Sequence, residues 1–205
     1  MKVDLKKQIT AYSAPRGEFA VVDVPPLQYL MVDGHGDPNT SPAYREAVTS
    51  IYPVAYTLKS ASKRELDRDY TVTPLEALWW AEDMSAFTTA RDKSSWNWTL
   101  LLLVPDWLGS DDVERARSAV ARSRAPALDR IRLERLDEGR CVQTLHVGPY
   151  DDEGPALRAM HHDAIPALGL RMTGRHHEIY LSDARRTDPA RLRTLLRQPV
   201  TDAEP

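Results

Sequence analysis

The sequence predicts an α+β fold in which a strand-helix-strand-strand unit occurs twice. Three observations predict it. Runs alternating with period 2 are interleaved with runs whose apolar residues recur at helical spacing. The order of these runs starts again after residue 128. Corresponding strands also close on the same punctuation. Leu30-Met31-Val32-Asp33-Gly34 answers Thr144-Leu145-His146-Val147-Gly148, and 99–105 answers 194–199, each ending in proline. Between them, 75–80 answers 177–182, matching Glu76 to Glu178. Each unit has one apolar sheet face, and pairing two units buries that face or shapes it into a groove. The units span 18–108 and 128–200 of one pseudo-symmetric domain covering 1–205, with extensions at 1–17 and 201–205.

The elements follow in order. Residues 18–24 and 27–33 read as strands broken by Pro25-Pro26, before a Gly34-His35-Gly36-Asp37-Pro38 turn. Ser41 is expected to cap a helix with Pro42 at its first position. Tyr44, Ala47, Val48, Ile51, Ala55 and Leu58 lay one face of that helix on a core, and Pro53 should kink it or end its first part. Strands at 70–81 and 96–104 are joined by a polar loop. An Arg-rich helix from Ser110-Asp111 turns Val113, Ala116 and Val120 inward. In the second unit, 130–136 and 140–147 flank Asp137-Glu138-Gly139, a hairpin signal. Asp151 or Asp152 caps a helix carrying Leu157, Met160 and Ala164. A strand at 176–183, a short helical start at Asp188-Pro189 and a strand at 194–200 complete the chain.

The bulk numbers exclude several classes. With 205 residues, 42% apolar and 28% charged, the chain can bury a real core. A net charge of −3 provides no field for nucleic acid or an anionic membrane. Seven arginines between 115 and 135 interleave with Glu114, Asp129 and Glu134 and read as a solvated face; no helix-turn-helix pattern accompanies them. The longest apolar run, 100–104, is too short to span a bilayer, and no secretory h-region follows the N-terminus. The lone Cys141 excludes an internal disulfide and fits a reducing, cytoplasmic setting. It reads as a small strand residue rather than a nucleophile.

The segment His176-His177-Glu178-Ile179-Tyr180-Leu181-Ser182-Asp183 carries the chemistry. Alternation puts His176, Glu178, Tyr180 and Ser182 on one face, and His177, Ile179 and Leu181 on the other. A carboxylate in an apolar strand is costly to bury unless a cation or a proton meets it. Glu178 could pair with a cationic ligand, act as base toward water, act as acid, or sit on an edge beside an arginine. Glu76 alternates in the same way with Trp80 and is either functional or vestigial. Trp79 and Trp80 point to opposite faces, and Trp80 is assigned to the groove because it shares the face of Glu76. Trp96 and Trp98 point the same way, and the sequence leaves open which of them joins. His176 is expected on the groove face of Glu178. The pairs His161-His162 and His176-His177 diverge in direction, and no HExxH or CxxC accompanies them, so neither metal nor cofactor is expected. Asp151-Asp152-Glu153 reads as helix-start acid favourable to the dipole.

In these stretches the chain resembles the GyrI-like small-molecule-binding family, in its stand-alone bacterial branch. The matching stretches are Tyr52-Pro53-Val54-Ala55-Tyr56-Thr57-Leu58-Lys59, Pro74-Leu75-Glu76-Ala77-Leu78-Trp79-Trp80, His146-Val147-Gly148-Pro149-Tyr150, 177–183 and 192–200. The resemblance implies two SHS2-type repeats about a pseudo-two-fold axis, with antiparallel sheets, helices on one side and a ligand groove between the repeats. Relatives joined to helix-turn-helix regions sense drugs, and no such region is read here. Members of the branch bind bulky lipophilic cations, and some are described as hydrolases opening the cyclopropane of DNA-alkylating natural products. The resemblance assigns the ligand-facing carboxylate to Glu178 and the pocket tyrosine to Tyr150. The expected function is multidrug-type binding of lipophilic, cationic aromatic small molecules by Glu178, Tyr150, Tyr180, Trp80, Glu76 and His176. The alternative is a cyclopropyl hydrolase using Glu178 and Tyr150. Inhibitory relatives contact a topoisomerase, but no residue here identifies a protein-binding surface.

Overall fold

The computed structural model describes residues 2–82, 93–121 and 125–204. Its organising feature is a ribbon. Strand β1 (Ala20–Val24) pairs antiparallel with β6 (Gly139–Val147), and β2 (Leu27–His35) pairs with β5 (Arg132–Leu136). The register runs on unbroken from Val24↔Gly139 to Leu27↔Leu136. Only the segment holding Pro25-Pro26, which has no N–H to give, interrupts the ladder. Asp137-Glu138-Gly139 is therefore not a hairpin: β5 and β6 are successive stretches of one ribbon strand and do not pair with each other.

The remaining strands are β3 (Glu76–Trp80), β4 (Asn97–Leu103), β7 (Leu170–Met172), β8 (His176–Tyr180) and β9 (Arg193–Asp202). The sheet order is β1-β6-β9-β8-β3-β4-β2-β5, with β7 on β9 and every pairing antiparallel. Two residues separate β1 from β2 and β5 from β6, a span of about 10 Å at most. The ribbon therefore draws the two ends of the sheet together. Unit β1-β2-β3-β4 answers unit β5-β6-β8-β9, and the two meet where β3 pairs with β8.

That junction corrects one sequence match. Glu76 stands opposite Ile179, and Ala77 opposite Glu178. Directly opposed residues share a face, so Ala77, not Glu76, lies on the face of Glu178. A one-residue slip inverts every side chain, and matching the halves on their two glutamates made that slip. Only 76–80 of the expected 70–81 strand is ladder. Tyr70 forms a bridge to Val3, and Pro74 cannot donate.

Helix α1 is the short Leu5–Gln8. Helix α2 (Pro42–Glu65) buries Ala47, Ile51, Val54, Ala55 and Leu58 on the sheet. It runs through Pro53 without ending, because buried residues on both sides of the proline hold it down against a cost of about 3 kcal/mol. Ser41 occupies the N-cap position without a capping hydrogen bond; its hydroxyl turns back to the His35 carbonyl at 3.4 Å. Helix α3 (Ser110–Val120) turns Val113, Ala116 and Val120 inward as expected. Arg115 and Arg117 pair with Asp112 and Glu114 on its solvated side; Arg122 and Arg124 lie outside the described residues. Helix α4 (Gly154–Arg158) continues as a π-helical turn, Ala159–Ala164, into Ile165–Ala167. Asp151 and Asp152 sit in a 3-10 turn ahead of it and cap nothing.

Two cores result. On the helix side, Leu30, Ile51, Leu58, Trp98 and Leu100 pack between sheet and helices. Trp98 lies so close over Gly34 that a Cβ there would stand 2.0 Å from its ring. On the other side, Tyr12, Tyr29, Met31, Leu101, Ile179 and Leu195 form a second core, with Leu5, Ile9 and Ala14 of the N-terminal segment against it. Among the described residues no helix is long and apolar enough to cross a membrane.

Candidate functional site

A cavity of about 1070 Å³ opens on the helix side of the β3–β8 junction. Alternation along β8 raises Glu178 and Tyr180 into it, and β3 contributes Trp79. Ala77, opposite the acid, leaves space above it. The second wall is a helical stripe: Tyr44, Val48, Tyr52 and Tyr56 follow one another every four residues along α2. The turn after β6 supplies Tyr150 and Glu153. The rings are in mutual contact. Tyr44 lies parallel to Trp79 at 6.3 Å, Trp96 meets Trp79 edge-on at 5.5 Å, and Tyr150 meets Tyr180 at 5.4 Å.

Glu178 is only 8% exposed. The Tyr180 hydroxyl donates to its Oε2 at 2.7 Å, and the Trp79 indole donates to the Tyr180 oxygen at 3.2 Å. His176 Nε2 stands 3.7 Å from Oε1. Burial pushes the carboxyl up to about 7, against the pull of the Tyr180 and Trp79 hydrogen bonds and of the His177 and Lys93 charges. Lys93 is itself bonded to Asp151 at 2.8 Å. Burial, aided by the charges of Glu153 and Glu178, pushes the Tyr150 phenol up to about 12. Burial and Glu178 raise Tyr180 well above its ordinary range. Both phenols are thus hydrogen-bond donors at neutral pH. Burial also holds His176 far below its ordinary value, so it is neutral.

Of the residues singled out from sequence, the cavity gathers Glu178, Tyr150 and Tyr180. Glu76, Trp80 and His176 do not line it. Glu76 and Trp80 face the other core, because β3 turns 76, 78 and 80 away from the helices. Trp80 lies there under the Arg175 guanidinium, 3.7 Å above its ring. Trp79 takes the place expected of Trp80, Trp96 joins it, and Trp98 is sealed in the core behind. His176 is 1% exposed and sits beneath Glu178 rather than beside a ligand. Sequence reasoning missed Tyr52, Tyr56 and Glu153. The four-residue spacing from Tyr44 was visible, but it reads equally as a core stripe. Glu153 was grouped with its two acidic neighbours, yet it is 3% exposed and turned inward.

The opposite face holds a second set of buried charges. His177 lies between two carboxylates, Nε2 at 3.0 Å from Glu76 and Nδ1 at 3.0 Å from Glu138. Arg197 bonds Glu138 at 2.9 Å, the Gln143 side chain at 3.1 Å and the Ala11 carbonyl at 2.7 Å. Tyr12 donates to Glu76. Despite burial, His177 and Arg197 hold Glu138 down to about 2, and the two carboxylates raise His177 to about 9. These charges pair with one another and grip the N-terminal segment through Tyr12 and the Ala11 carbonyl. Among the described residues, no group of histidine, cysteine and carboxylate side chains is placed to hold a metal ion.

A curled antiparallel sheet built from two repeats, with an aromatic cavity at their junction and an acid on its floor, defines a small-molecule-binding domain. The model of the GyrI-like small molecule binding domain matches residues 17–201, and the chain belongs to that family. Among solved structures, an uncharacterized conserved protein from Listeria innocua is 38% identical, with a TM-score of 0.88 over 98% of this chain and 100% of its own. A structure described as a hydrolase from Listeria innocua is 37% identical, with a TM-score of 0.86 over the same shares. The C-terminal domain of EcmrR, at 14% identity and a TM-score of 0.59, covers 91% of this chain and 98% of its own and shares the fold. No protein of curated function matches the chain.

Proposed function

We propose that the cavity binds bulky, lipophilic, cationic aromatic molecules, with Glu178 as the charge partner and Trp79, Tyr44, Tyr150 and Tyr180 as stacking surface. The observation that carries this reading is a carboxylate buried on the floor of an aromatic cavity, whose nearest partners are a phenol and a neutral histidine. A cation entering the cavity relieves the cost of ionising Glu178 and gains contact with the ring faces. The volume suits a drug-sized ligand, since such sites commonly span about 300–1,000 Å³. The test is a fluorescence titration with tetraphenylphosphonium and with uncharged triphenylphosphine oxide. Glu178→Gln should weaken the cation more than about tenfold and leave the neutral compound within about twofold. Equal losses for both would remove Glu178 as the charge partner. Cation affinity should also rise about tenfold per pH unit up to pH 7, where the carboxyl is ionised, and then level off.

A second reading, favoured by the Listeria relatives described as hydrolases at 36% and 37% identity, is an enzyme acting in the same cavity. The substrate class would be electrophiles bearing a cyclopropane fused to a dienone. Glu178 would take a proton from water as its oxygen attacks the cyclopropane carbon. The breaking C–C bond would send its electron pair through the ring to the carbonyl oxygen, which Tyr150 would hydrogen-bond as it becomes a phenolate. Glu178 would give that proton up and the phenolate would take one from solvent, so that the product is the substrate plus one water and the carboxylate is restored. Under this reading Glu178→Gln abolishes that product, read by mass spectrometry, while the substrate still quenches tryptophan fluorescence.

A further inference from the structure

The cavity is longer than the site around Glu178 needs. Its helical wall sets Tyr44, Val48, Tyr52 and Tyr56 on one line. At the helical rise per residue this line runs about 12 Å from Tyr44 to Tyr52 and about 18 Å from Tyr44 to Tyr56. Rings collect at both ends of it. At the inner end Tyr44 lies parallel to Trp79 at 6.3 Å, on the strand that pairs with the one carrying Glu178. At the outer end Tyr52 and Tyr56 stack on each other, with centroids 6.4 Å apart and ring planes 26° from parallel. Between the two ends Val48 and Leu75 give the lining an aliphatic stretch. The Leu75 carbonyl is fixed there, accepting from the Tyr180 N–H at 3.0 Å.

The ends differ in charge. Burial first, then the charge of Glu178, raises the Tyr44 phenol. On Tyr52, burial and Tyr56 come first, and Arg185 and Asp183 then act with opposite signs. Those two charges are joined: the Arg185 Nε and Nη2 donate to the Asp183 carboxylate at 3.0 and 2.9 Å. Asp4 and Lys6 of the N-terminal segment, also in the lining, add one charge of each sign. The acid at the outer end therefore already has its cation, whereas Glu178 has none in contact. An exposed tyrosine alone carries no information. Tyr56, 56% exposed, instead extends a stacked pair that opens into the same cavity as Glu178.

We propose that the outer end is a second aromatic subsite and that the ligand is an elongated, unsymmetrical molecule. It carries a cationic ring system over Glu178 at one end and an uncharged planar ring against Tyr52 and Tyr56 at the other. The proposal rests on the reading of Glu178 as charge partner and adds the ligand's length and the distribution of its charge. Two ring systems and the chain between them use the whole volume of about 1070 Å³, at the upper limit of what drug-sized ligands fill. Once the cationic end is seated, the second ring binds as an intramolecular partner, most favourably when the connecting chain matches the span.

The test is calorimetric titration with decyltriphenylphosphonium and with the same ion carrying a naphthyl ring at the far end of its chain. Extended, a decyl chain crosses from Tyr44 to the outer pair, and an ethyl chain does not. The naphthyl ring should tighten binding about tenfold on the decyl chain and less than about twofold on an ethyl chain. Tyr56→Ala should cut the tenfold gain to about twofold or less. Its ring is largely exposed and alanine favours the helix, so the fold is kept. A second triphenylphosphonium in place of the naphthyl ring should add less than the naphthyl ring does. A naphthyl gain that is absent in the native protein, equal on both chains, or kept in Tyr56→Ala overturns the second subsite. A second phosphonium that gains more than the naphthyl ring overturns the uncharged end. Glu178→Gln should weaken all these cations alike and leave the naphthyl gain in place. If it weakens none of them, the charge partner falls while the gain still reports on the outer end, which separates the two failures.

Discussion

Glu178 and Glu138 are both almost fully buried on the same sheet, and their surroundings treat them in opposite ways. Glu138 accepts from Arg197 and His177 within 3.0 Å, and its carboxyl is held down to about 2. Glu178 has a phenol and a neutral imidazole, and its carboxyl is pushed up to about 7. Burial alone does not separate the two acids. What separates them is whether the chain sets a cation in direct contact: Arg197 bonds Glu138, whereas Lys93, whose charge acts on Glu178, is bonded to Asp151.

The largest effect that can break this contrast is on stability. Glu138→Gln leaves Arg197 and a charged His177 without their shared counter-ion, and should cost about 3–5 kcal/mol in urea denaturation at pH 7. A loss under about 1 kcal/mol would mean the cluster is not the clamp its geometry describes. The pH dependence has a definite sign. Glu138, lowered from its ordinary 4.5, contributes fully above pH 4.5, and its contribution is lost as pH falls toward 2. His177, raised from 6.5, contributes fully below pH 6.5, and its contribution is lost as pH rises through 9.

The next effect runs the other way. The carboxyl of Glu178 is raised in the folded state, so its ionisation costs stability as pH climbs from 4.5 through 7. Glu178→Gln should therefore stabilise the empty protein at pH 8, by up to about 3 kcal/mol, and do almost nothing at pH 5. Thermal unfolding at the two pH values checks this; stabilisation at pH 5 alone would reverse the assignment.

The smallest effect sharpens the contrast between faces. Trp79→Leu should weaken aromatic cations about tenfold, by about 1.4 kcal/mol. Trp80→Leu, one residue on, should leave their affinity within about twofold, read by calorimetric titration. Equal effects would mean that the cavity is not bounded by the β3–β8 face.

Much of this was legible in the sequence. The alternation of 176–183 put Glu178 and Tyr180 on one face without any knowledge of the fold, and the glycines and prolines marked where most elements end. What was not legible depends on register. The choice between Trp79 and Trp80 turns on which residue of β3 opposes Glu178, and a match of halves with few identities cannot fix that to one residue. The Glu138–Arg197 pair joins positions 59 apart through a ladder that no local pattern encodes. Tyr52 and Tyr56 were on the page as a helical stripe, but whether such a stripe meets protein or empty space depends on what stands opposite. The misread hairpin at 137–139 shows local turn chemistry overruled by the long ribbon.

That ribbon also governs when the molecule can exist at all. During synthesis the first unit emerges with one edge of β2 waiting for β5 and one edge of β3 waiting for β8, more than a hundred residues of chain still unmade. Unpaired edges are templates for association with other chains, and pairings this distant in sequence form slowly. The β2 edge is covered once β5 (Arg132–Leu136) is made, whereas the β3 edge stays open until β8 (His176–Tyr180), and the acid on the cavity floor is made only with β8. The second edge closes only when β8 arrives, and the cavity gains its floor in the same event.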